Sequence, residues 1–353
     1  MIWRTCLGLG ALTLVLMAGC SPAKDTSTKG DSGGTAAADG PKIGIVFDRG
    51  GLGDKSFNDS AWRGIQRAES ELGAKSSKVE SKEEKDYETN LREMASQDGM
   101  DIVFAIGINQ QKALEVVAPE FPDVKFAIVD GNVDAPNVRS LLFKEEEGSF
   151  LVGYLAGLMS QTGKIGFVGG MDIPLIGKFR YGYAAGAKMA NPSVEILPAK
   201  YTGNWDNIDL AKQAANILYD GGADIVYHAA GRAGLGVIRA AEEKGKFAIG
   251  VDSDQDGEAE GFVLTSMIKR VDEAVFSTIK DVKDGNYSAG AKMYDLAANG
   301  VGTSDFTFTK DKIGDEKIAK VKEIADLIAK GEIKAPTTAE EFSAFVTGLS
   351  AGN

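Results

Sequence analysis

The feature that most constrains the fold of this chain is a regular alternation of strand-like and helix-like segments. Short apolar runs rich in β-forming residues and bounded by Gly or Asp predict strands, and longer amphipathic stretches between them predict helices. Strands that alternate with helices predict parallel sheets with helices packed on both faces. Roughly 310 residues remain after the predicted N-terminal signal peptide and tether described below. A chain of this length usually forms more than one hydrophobic core, so we expect two α/β lobes.

The boundaries of these elements follow from the same pattern. The predicted strands span residues 42–47, 102–106, 125–129, 140–143, 164–168, 194–199, 225–228, 247–251 and 263–267. The predicted helices span residues 60–72, 87–97, 110–121, 146–160, 179–191, 207–219, 234–244 and 271–284.

Polar, glycine-rich segments follow the predicted strands in both halves of the chain. They span residues 48–59, 107–110 and 130–132 in the first half, and 169–172, 229–234 and 252–255 in the second. In parallel α/β sheets, ligands bind beyond the carboxyl ends of the strands, where such loops converge. Two facing sets of these loops predict a ligand-binding cleft between two lobes.

The N-terminus carries a secretory pattern. Arg4 precedes an apolar run over residues 6–18 that is too short to span a bilayer and has the length of a signal-peptide core. The letters LMAGC at residues 16–20 resemble a bacterial lipobox, so we expect a signal peptide over residues 1–19 and a lipid on Cys20. A plain secretory signal with an incidental cysteine is the alternative. Residues 20–40 lack large apolar side chains and predict a flexible tether, which places the folded body at the extracytoplasmic face of a membrane.

Composition excludes several classes of site. The two cysteines of the chain are Cys6, in the predicted signal peptide, and Cys20, so the folded body is expected to contain no disulfide, catalytic thiol or cysteine metal site. The single histidine, His228, excludes a histidine-rich metal site and is expected to pack within its strand. A net charge of -12 argues against nucleic acid as a partner. We therefore expect neither a metal nor a cofactor.

Several multi-residue motifs resemble those of one known family. The segment GGLGDKSFNDSAWRG at residues 50–64 resembles the opening motif of the basic membrane protein family of lipoproteins. The segments EEEGSFLVGY at 145–154, GGMDIP at 169–174, VDSDQ at 251–255 and LTSMIK at 264–269 resemble further motifs of that family, in the same order. The similarity extends over residues 41–350 and points to the nucleoside-binding, PnrA-like group within the family.

This resemblance implies a fold and a function. The family has the type I periplasmic-binding fold, an α/β fold with two doubly wound parallel-sheet lobes joined by a hinge of three crossovers, which we place near Lys144, Ser253 and Ala289. Lobe one is then expected to comprise residues 41–144 and 254–288, and lobe two residues 145–253 and 289–353. Members bind purine nucleosides, some with a wider nucleoside range, and deliver them to an ABC permease. The resemblance implies inosine, guanosine or adenosine as ligand and permease subunits as partners.

The two halves of a nucleoside require different side chains. Aromatic faces stack on the flat base, and we predict that Phe57 and Trp205 form the two sides of the base slot. Ribose hydroxyls need an acceptor beside a donor; Asp252 and Lys269, at positions that match the family's ribose contacts, are expected to supply them and to keep each other ionised. Gly231 is expected to let the backbone approach the sugar.

Three further polar residues follow strands of the first half. Asp48, Asn58 and Asp130 are candidates for binding the edge of the base and for ordering the cleft. Each of the predicted site residues except Gly231 also has a structural alternative. Asp48, Asn58 and Asp130 are residue types that cap helices or form turns. Phe57 would be a core residue at a helix start, Trp205 a surface residue on its own helix, and Asp252 with Lys269 a structural ion pair.

Three function classes compete. A transport receptor that closes two lobes around a nucleoside predicts saturable binding without turnover. An enzyme acting on nucleosides would need an acid or base with a nucleophile or metal, and the sequence offers no motif for either, so we predict no catalytic residues and no enzyme activity. A surface lipoprotein that binds host matrix or a sensor partner is the third class.

Overall fold

The computed structural model describes residues 40–351. The predicted signal peptide, Cys20 and the predicted tether up to residue 39 lie outside the described residues. The strands are β1 (Lys42–Phe47), β2 (Lys75–Glu80), β3 (Ile102–Ile106), β4 (Lys125–Val129), β5 (Val138–Phe143), β6 (Lys164–Gly169), β7 (Glu195–Ile196), β8 (Lys200–Tyr201), β9 (Ile225–Ala229), β10 (Phe247–Asp252), β11 (Val263–Lys269), β12 (Gly290–Tyr294) and β13 (Val301–Thr303). The helices are α1 (Phe57–Leu72), α2 (Tyr87–Ala95), α3 (Gln111–Val117), α4 (Glu145–Met159), α5 (Pro174–Ala190), α6 (Ile208–Asp220), α7 (Leu235–Lys244), α8 (Val271–Lys283), α9 (Lys310–Ile313), α10 (Asp315–Ala329) and α11 (Ala339–Ala351).

The strands form two sheets. The first has the order β12-β5-β4-β3-β1-β2, and all of its pairings are parallel. The second has the order β13-β11-β10-β9-β6-β7, with β8 also paired to β6, and there the β11–β13 pairing is antiparallel. This arrangement confirms the predicted α/β fold of two parallel-sheet lobes.

The strand pairings place two of the three crossovers at other positions than predicted. The chain leaves the first sheet after β5 and enters α4 beside Lys144, as predicted. The predicted crossover near Ser253 is wrong, because β11 continues the second sheet beside β10 and the chain returns to lobe one only near Arg270. The predicted crossover near Ala289 is also wrong, because β12 pairs with β5 in the first sheet. Lobe one therefore comprises residues 42–144 and 271–294, and the predicted segments 254–288 and 289–353 are corrected accordingly.

The sequence pattern predicted no elements after residue 284, and the two strands of the first sheet that it missed share one property. β2 and β12 lie at the edges of the first sheet, and their side chains are mostly polar or exposed. An edge strand has a neighbour on one side only, so it needs no continuous apolar run to be stable. The predicted strand over residues 194–199 is replaced by the two short strands β7 and β8.

Both sheets are covered by helices that bury apolar faces. In lobe one, α1 packs with α8, and the core beneath them includes Phe47, Phe104 and Ile65. In lobe two, α4 packs closely on α5, because Gly153 faces the backbone of Tyr183 so closely that a Cβ atom there would lie 2.0 Å from its carbonyl oxygen. These rigid layers hold the carboxyl ends of the strands in place.

Two strand ends carry an aspartate in the left-handed region of backbone conformation. Asp130, after β4, has φ +68°, and Asp252, the last residue of β10, has φ +65°. Non-glycine residues in this region cost conformational energy and concentrate at functional sites. One aspartate belongs to each lobe, and both line the cleft described below.

His228 is fully buried in β9. It packs against Gly234, where a Cβ atom would lie 2.0 Å from the imidazole Nδ1. Burial lowers its pKa to about 4, which keeps the ring neutral at physiological pH. This position agrees with the expectation that His228 packs within its strand.

Candidate ligand-binding cleft

One cleft lies between the carboxyl ends of the two sheets. Its lining includes all eight of the predicted ligand-binding residues: Asp48, Phe57, Asn58, Asp130, Trp205, Gly231, Asp252 and Lys269. The lining also includes residues that the sequence pattern did not single out, among them Arg49, Asp54, Phe179 and Arg232. The structure therefore brings the predicted residues together, whereas their role in binding stays a prediction.

The start of α1 is held by a buried carboxylate. Asp54 accepts hydrogen bonds from the backbone N–H groups of Ser56 (2.9 Å), Asn58 (2.8 Å) and Asp59 (3.1 Å). These groups have no partner within a helix, so a side chain that accepts from them defines where the helix starts. Asp54 thereby places Phe57 and Asn58, the first two residues of α1, in the cleft.

The side chain of Asn58 is buried in the lining, and its amide oxygen has no partner among the described residues. It is 4% exposed, and its Oδ1 accepts no hydrogen bond from the described residues. A buried polar group without a partner costs about 1–3 kcal/mol, so such groups need an explanation. A ligand in the cleft would supply the missing donor.

Asp48, by contrast, is extensively hydrogen-bonded. Its carboxylate accepts from the hydroxyl of Tyr87, from the backbone N–H of Arg49 (2.7 Å) and from Asn109 Nδ2 (3.0 Å). Burial raises its pKa above the ordinary value, although these hydrogen bonds oppose the shift. These bonds occupy most of its acceptor positions and order the loop that follows β1.

Trp205 lies against glycine backbone. A Cβ atom on Gly170 would lie 2.3 Å from the indole ring, so only glycine permits this contact. Gly231 adopts φ +55°, and a Cβ atom added to it would lie 3.3 Å from the carbonyl oxygen of Trp205. The two glycines fix one side of the cleft in lobe two.

Asp252 and Lys269 both line the cleft but do not form the structural ion pair that was the alternative to a role in ribose binding. The carboxylate of Asp252 accepts a hydrogen bond from the hydroxyl of Ser56 in lobe one, and no ion pair joins it to Lys269 among the described residues. Burial raises the pKa of Asp252 to about 7, although the more distant charge of Lys269 lowers it. The charges of Asp252 and Lys269 each favour the ionised form of the other, as expected, but for Asp252 the effect of burial is larger.

Lys269 instead forms a buried ion pair with two other carboxylates. Its Nζ lies 2.6 and 2.7 Å from the carboxylate oxygens of Asp130 and 3.0 Å from Glu145 Oε1. Burial by itself would lower the pKa of Lys269, but the charges of Asp130 and Glu145 raise it above its ordinary value. Glu145 is in turn bound by Lys178 Nζ at 2.7 Å. These contacts show that Asp130 anchors the lysine, whereas its binding of the base edge stays a prediction.

Aromatic rings surround the same ammonium group. The Nζ of Lys269 lies 5.3 Å from the ring centre of Phe57, 4.9 Å from that of Phe143 and 5.5 Å from that of Phe179. These distances are within the range of cation–π attraction. Phe57 and Phe179 come from opposite lobes and both line the cleft, so the lysine lies where the lobes meet.

The two lobes contact each other across the cleft. Ser253 Oγ donates to the backbone oxygen of Ser56 at 2.7 Å, and Arg63 Nη2 donates to Ser253 Oγ at 3.0 Å. On the other side of the cleft, Arg232 Nη1 lies 3.4 Å from the backbone oxygen of Gly50. Hydrogen bonds of this kind stabilise an arrangement in which the lobes are closed.

None of the helices in the described part of the chain is both long enough and apolar enough to cross a bilayer.

Comparison with known proteins gives consistent results. A family model described as ABC transporter substrate-binding protein, PnrA-like, matches residues 42–339. The chain is 36% identical over 345 residues to the CD4+ T-cell-stimulating antigen of Listeria innocua, covering 91% of this chain and 94% of that protein. It is 34% identical over 321 residues to Basic membrane protein A of Borreliella burgdorferi, covering 89% and 93%. A crystal structure of an ABC transporter solute-binding protein from Aeropyrum pernix matches with a TM-score of 0.80 and 30% identity, covering 89% of this chain and 98% of that one.

These matches confirm the resemblance seen in the sequence motifs. The family model spans both lobes and the cleft between them, and the solved relative shares the two-lobed α/β fold. The family is one of substrate-binding proteins rather than of enzymes. The chain therefore belongs to the PnrA-like family of ABC transporter substrate-binding proteins.

Proposed function

We propose that this protein binds nucleosides, with purine nucleosides preferred, as the extracytoplasmic receptor of an ABC importer. The observation that carries the proposal is the composition of the cleft. Phe57 and Trp205, from opposite lobes, line it together with the amide of Asn58, whose buried Oδ1 has no partner among the described residues. Aromatic faces with a polar amide beside them match a flat heterocycle whose edge carries donors and acceptors.

The sugar half of the ligand is assigned to the other polar residues of the cleft. Asp252 offers a carboxylate acceptor, and Lys269 offers an ammonium donor that Asp130 and Glu145 hold in place. A vicinal diol is both donor and acceptor, so the two groups complement it without forming an ion pair with each other. Gly231, which lines the cleft and has a positive φ, is assigned as the position where the backbone approaches the sugar.

Closure of the lobes would couple binding to transport. Ser56 in lobe one and Asp252 in lobe two already form a hydrogen bond across the cleft. A ligand that contacts both lobes stabilises only the closed arrangement, which is the form that a permease would distinguish from the open one. Transport therefore requires both a ligand that closes the lobes and a permease that recognises the closed form.

Isothermal titration of the purified protein with inosine, guanosine and adenosine tests the proposal directly. We expect saturable one-to-one binding, a raised melting temperature, and recovery of unchanged nucleoside after long incubation. Trp205→Ala should weaken all of them by about tenfold, since base stacking contributes about 1–3 kcal/mol. Failure of every nucleoside to bind would contradict nucleoside binding, and release of the free base would show an enzyme instead.

Membrane attachment through Cys20 is part of the same proposal. Its support is the lipobox-like sequence before Cys20 and the run of small and polar residues after it. Labelling cells with a tagged fatty acid should mark the wild-type protein and leave Cys20→Ser unlabelled. Release of wild-type protein from membranes by high salt would contradict lipid anchoring, because salt does not remove an acyl chain from a bilayer.

A further inference from the structure

We propose that Arg49 makes the cleft selective for 6-oxopurine nucleosides, such as inosine and guanosine, over adenosine. This inference rests on the proposed nucleoside-binding function and adds to it the chemical class of base. It follows from the hydrogen-bonding groups that are left without partners in one corner of the cleft.

Arg49 is a donor without an acceptor. It follows β1 directly and lines the cleft, and its Nε is buried without a hydrogen-bond partner among the described residues. None of the ion pairs between described residues involves its guanidinium, although the neighbouring carboxylate of Asp48 is close by. That carboxylate is already bonded to Tyr87, Asn109 and the backbone of Arg49. A buried guanidinium N–H without an acceptor costs free energy that a ligand acceptor would recover.

The same corner of the cleft contains the groups assigned to the base. Gly50 is the next residue in the chain. A Cβ atom added to it would lie 3.8 Å from the backbone oxygen of Trp205 and 3.9 Å from Asn58 Nδ2. Arg232, from lobe two, reaches the backbone oxygen of Gly50 at 3.4 Å. Gly50 thus lies between the backbone of Trp205 and the amide of Asn58, and Arg49, the residue before it, lines the same cleft, whereas the ammonium group of Lys269 is held by Asp130.

The hydrogen-bonding groups of Asn58 and Arg49 decide which of the two residues distinguishes a 6-oxopurine from adenine. The amide of Asn58 carries both a donor and an acceptor, so it can pair with either type of purine. The guanidinium of Arg49 carries donors only, and its fork matches the O6 and N7 acceptors of a 6-oxopurine. Adenine has an amino group at position 6, which would place donor against donor. The discrimination is therefore assigned to Arg49.

The test compares four ligands by isothermal titration: inosine, guanosine, adenosine and purine riboside, which lacks a substituent at position 6. For wild-type protein we expect inosine and guanosine to bind about tenfold or more tightly than adenosine, with purine riboside weaker than inosine. Arg49→Gln replaces a donor-only group by an amide that accepts as well as donates. It should bring the ratio of inosine to adenosine affinity close to one.

Arg239→Gln is the matched control, because Arg239 lies on the exposed side of α7 and should keep the wild-type ratio. Equal binding of inosine and adenosine to wild-type protein would overturn the inference, as would an unchanged ratio in Arg49→Gln. The four-ligand comparison on wild-type protein decides the matter even if the variant does not fold. Binding of none of the four would instead show that the proposed function itself is wrong.

Discussion

At the scale of single residues, the cleft depends on small residues that hold larger ones in position. The indole of Trp205 lies directly on Gly170, where a side chain would occupy the place of the ring. The sequence motif that contains Gly170 was recognised from its resemblance to a family, but the contact with Trp205 is visible only in the structure. Gly170 is therefore assigned a positioning role.

Gly170→Ala is expected to displace the indole of Trp205 and to weaken inosine binding by about tenfold, because stacking on one face of the base is lost. Isothermal titration measures the change. Gly302→Ala is the control, since its added methyl group meets no atom within 4 Å. If Gly170→Ala bound inosine as tightly as the control, the assigned contact between ring and ligand would be wrong.

Asp252 should make the stability of the ligand-free protein depend on pH. Burial raises its pKa from the ordinary 3.8 to about 7, so the folded protein holds a proton that the unfolded chain has lost. A group with a raised pKa contributes its full stability below the unfolded pKa and loses it as pH rises through the folded one. Asp252→Asn removes this titration while other buried carboxyl groups stay in both proteins.

The expected outcome concerns the difference between the two proteins. The free energy of unfolding in urea, wild type minus Asp252→Asn, should decrease from pH 3.8 to about pH 7 and then level off. A difference that rises over this range would mean that the carboxylate is stabilised by its surroundings, contrary to the burial described above.

At the scale of elements, the start of α1 determines where two binding residues lie. Asp54 accepts from three backbone N–H groups at this end, and Phe57 and Asn58 follow within the first turn. A comparable cap occurs at α11, where Thr338 Oγ1 accepts from the N–H of Glu341 at 3.2 Å. The two caps differ in that Asp54 lines the cleft and Thr338 does not.

Asp54→Ala should therefore reduce both stability and affinity. Loss of a helix cap costs about 1–2 kcal/mol in the free energy of unfolding, and the frayed turn would misplace Phe57 and Asn58. Thr338→Ala should cost a similar or smaller amount of stability and leave inosine affinity unchanged. Urea unfolding and isothermal titration measure the two effects. Equal affinity losses in both variants would contradict a local role for Asp54.

At the scale of the whole molecule, a buried chain of charges joins the lobes at the crossovers. Asp130 belongs to lobe one, Lys269 ends the last strand before the chain returns to that lobe, and Glu145 begins the helix after the first crossover. The side chains of Lys269 and Glu145 are each 1% exposed. Breaking a buried ion pair leaves an uncompensated charge in a medium of low dielectric constant.

Lys269→Met is expected to lower the free energy of unfolding by about 3–5 kcal/mol at neutral pH, with part of the loss recovered at acidic pH, where the two carboxylates are protonated. Lys212→Met removes an exposed pair with Glu243 and should cost less than about 1 kcal/mol. Urea unfolding at several pH values measures both. Similar costs in the two variants would show that the buried network is not a structural element of the hinge.

Local pattern was enough to predict much of this fold. The predicted boundaries of β1, β3 and β4 agree with the structure, because buried central strands of parallel sheets require continuous apolar runs that are visible in a single sequence. The polar loops after these strands meet at one cleft because the carboxyl ends of parallel strands lie at the same edge of a sheet. The edge strands β2 and β12 were missed because one-sided pairing imposes no such run.

The sequence by itself thus determined the order of the central strands and of the helices between them. Its motifs and the polar loops after its strands identified the eight candidate cleft residues. Only the tertiary structure decided how these residues pair. Lys269 binds Asp130 and Glu145 rather than Asp252, and the chain returns to lobe one near Arg270 rather than near Ser253. The physical reason is that ion pairs and strand pairings join residues far apart in the chain, and their free energy depends on distances and burial that no local pattern records.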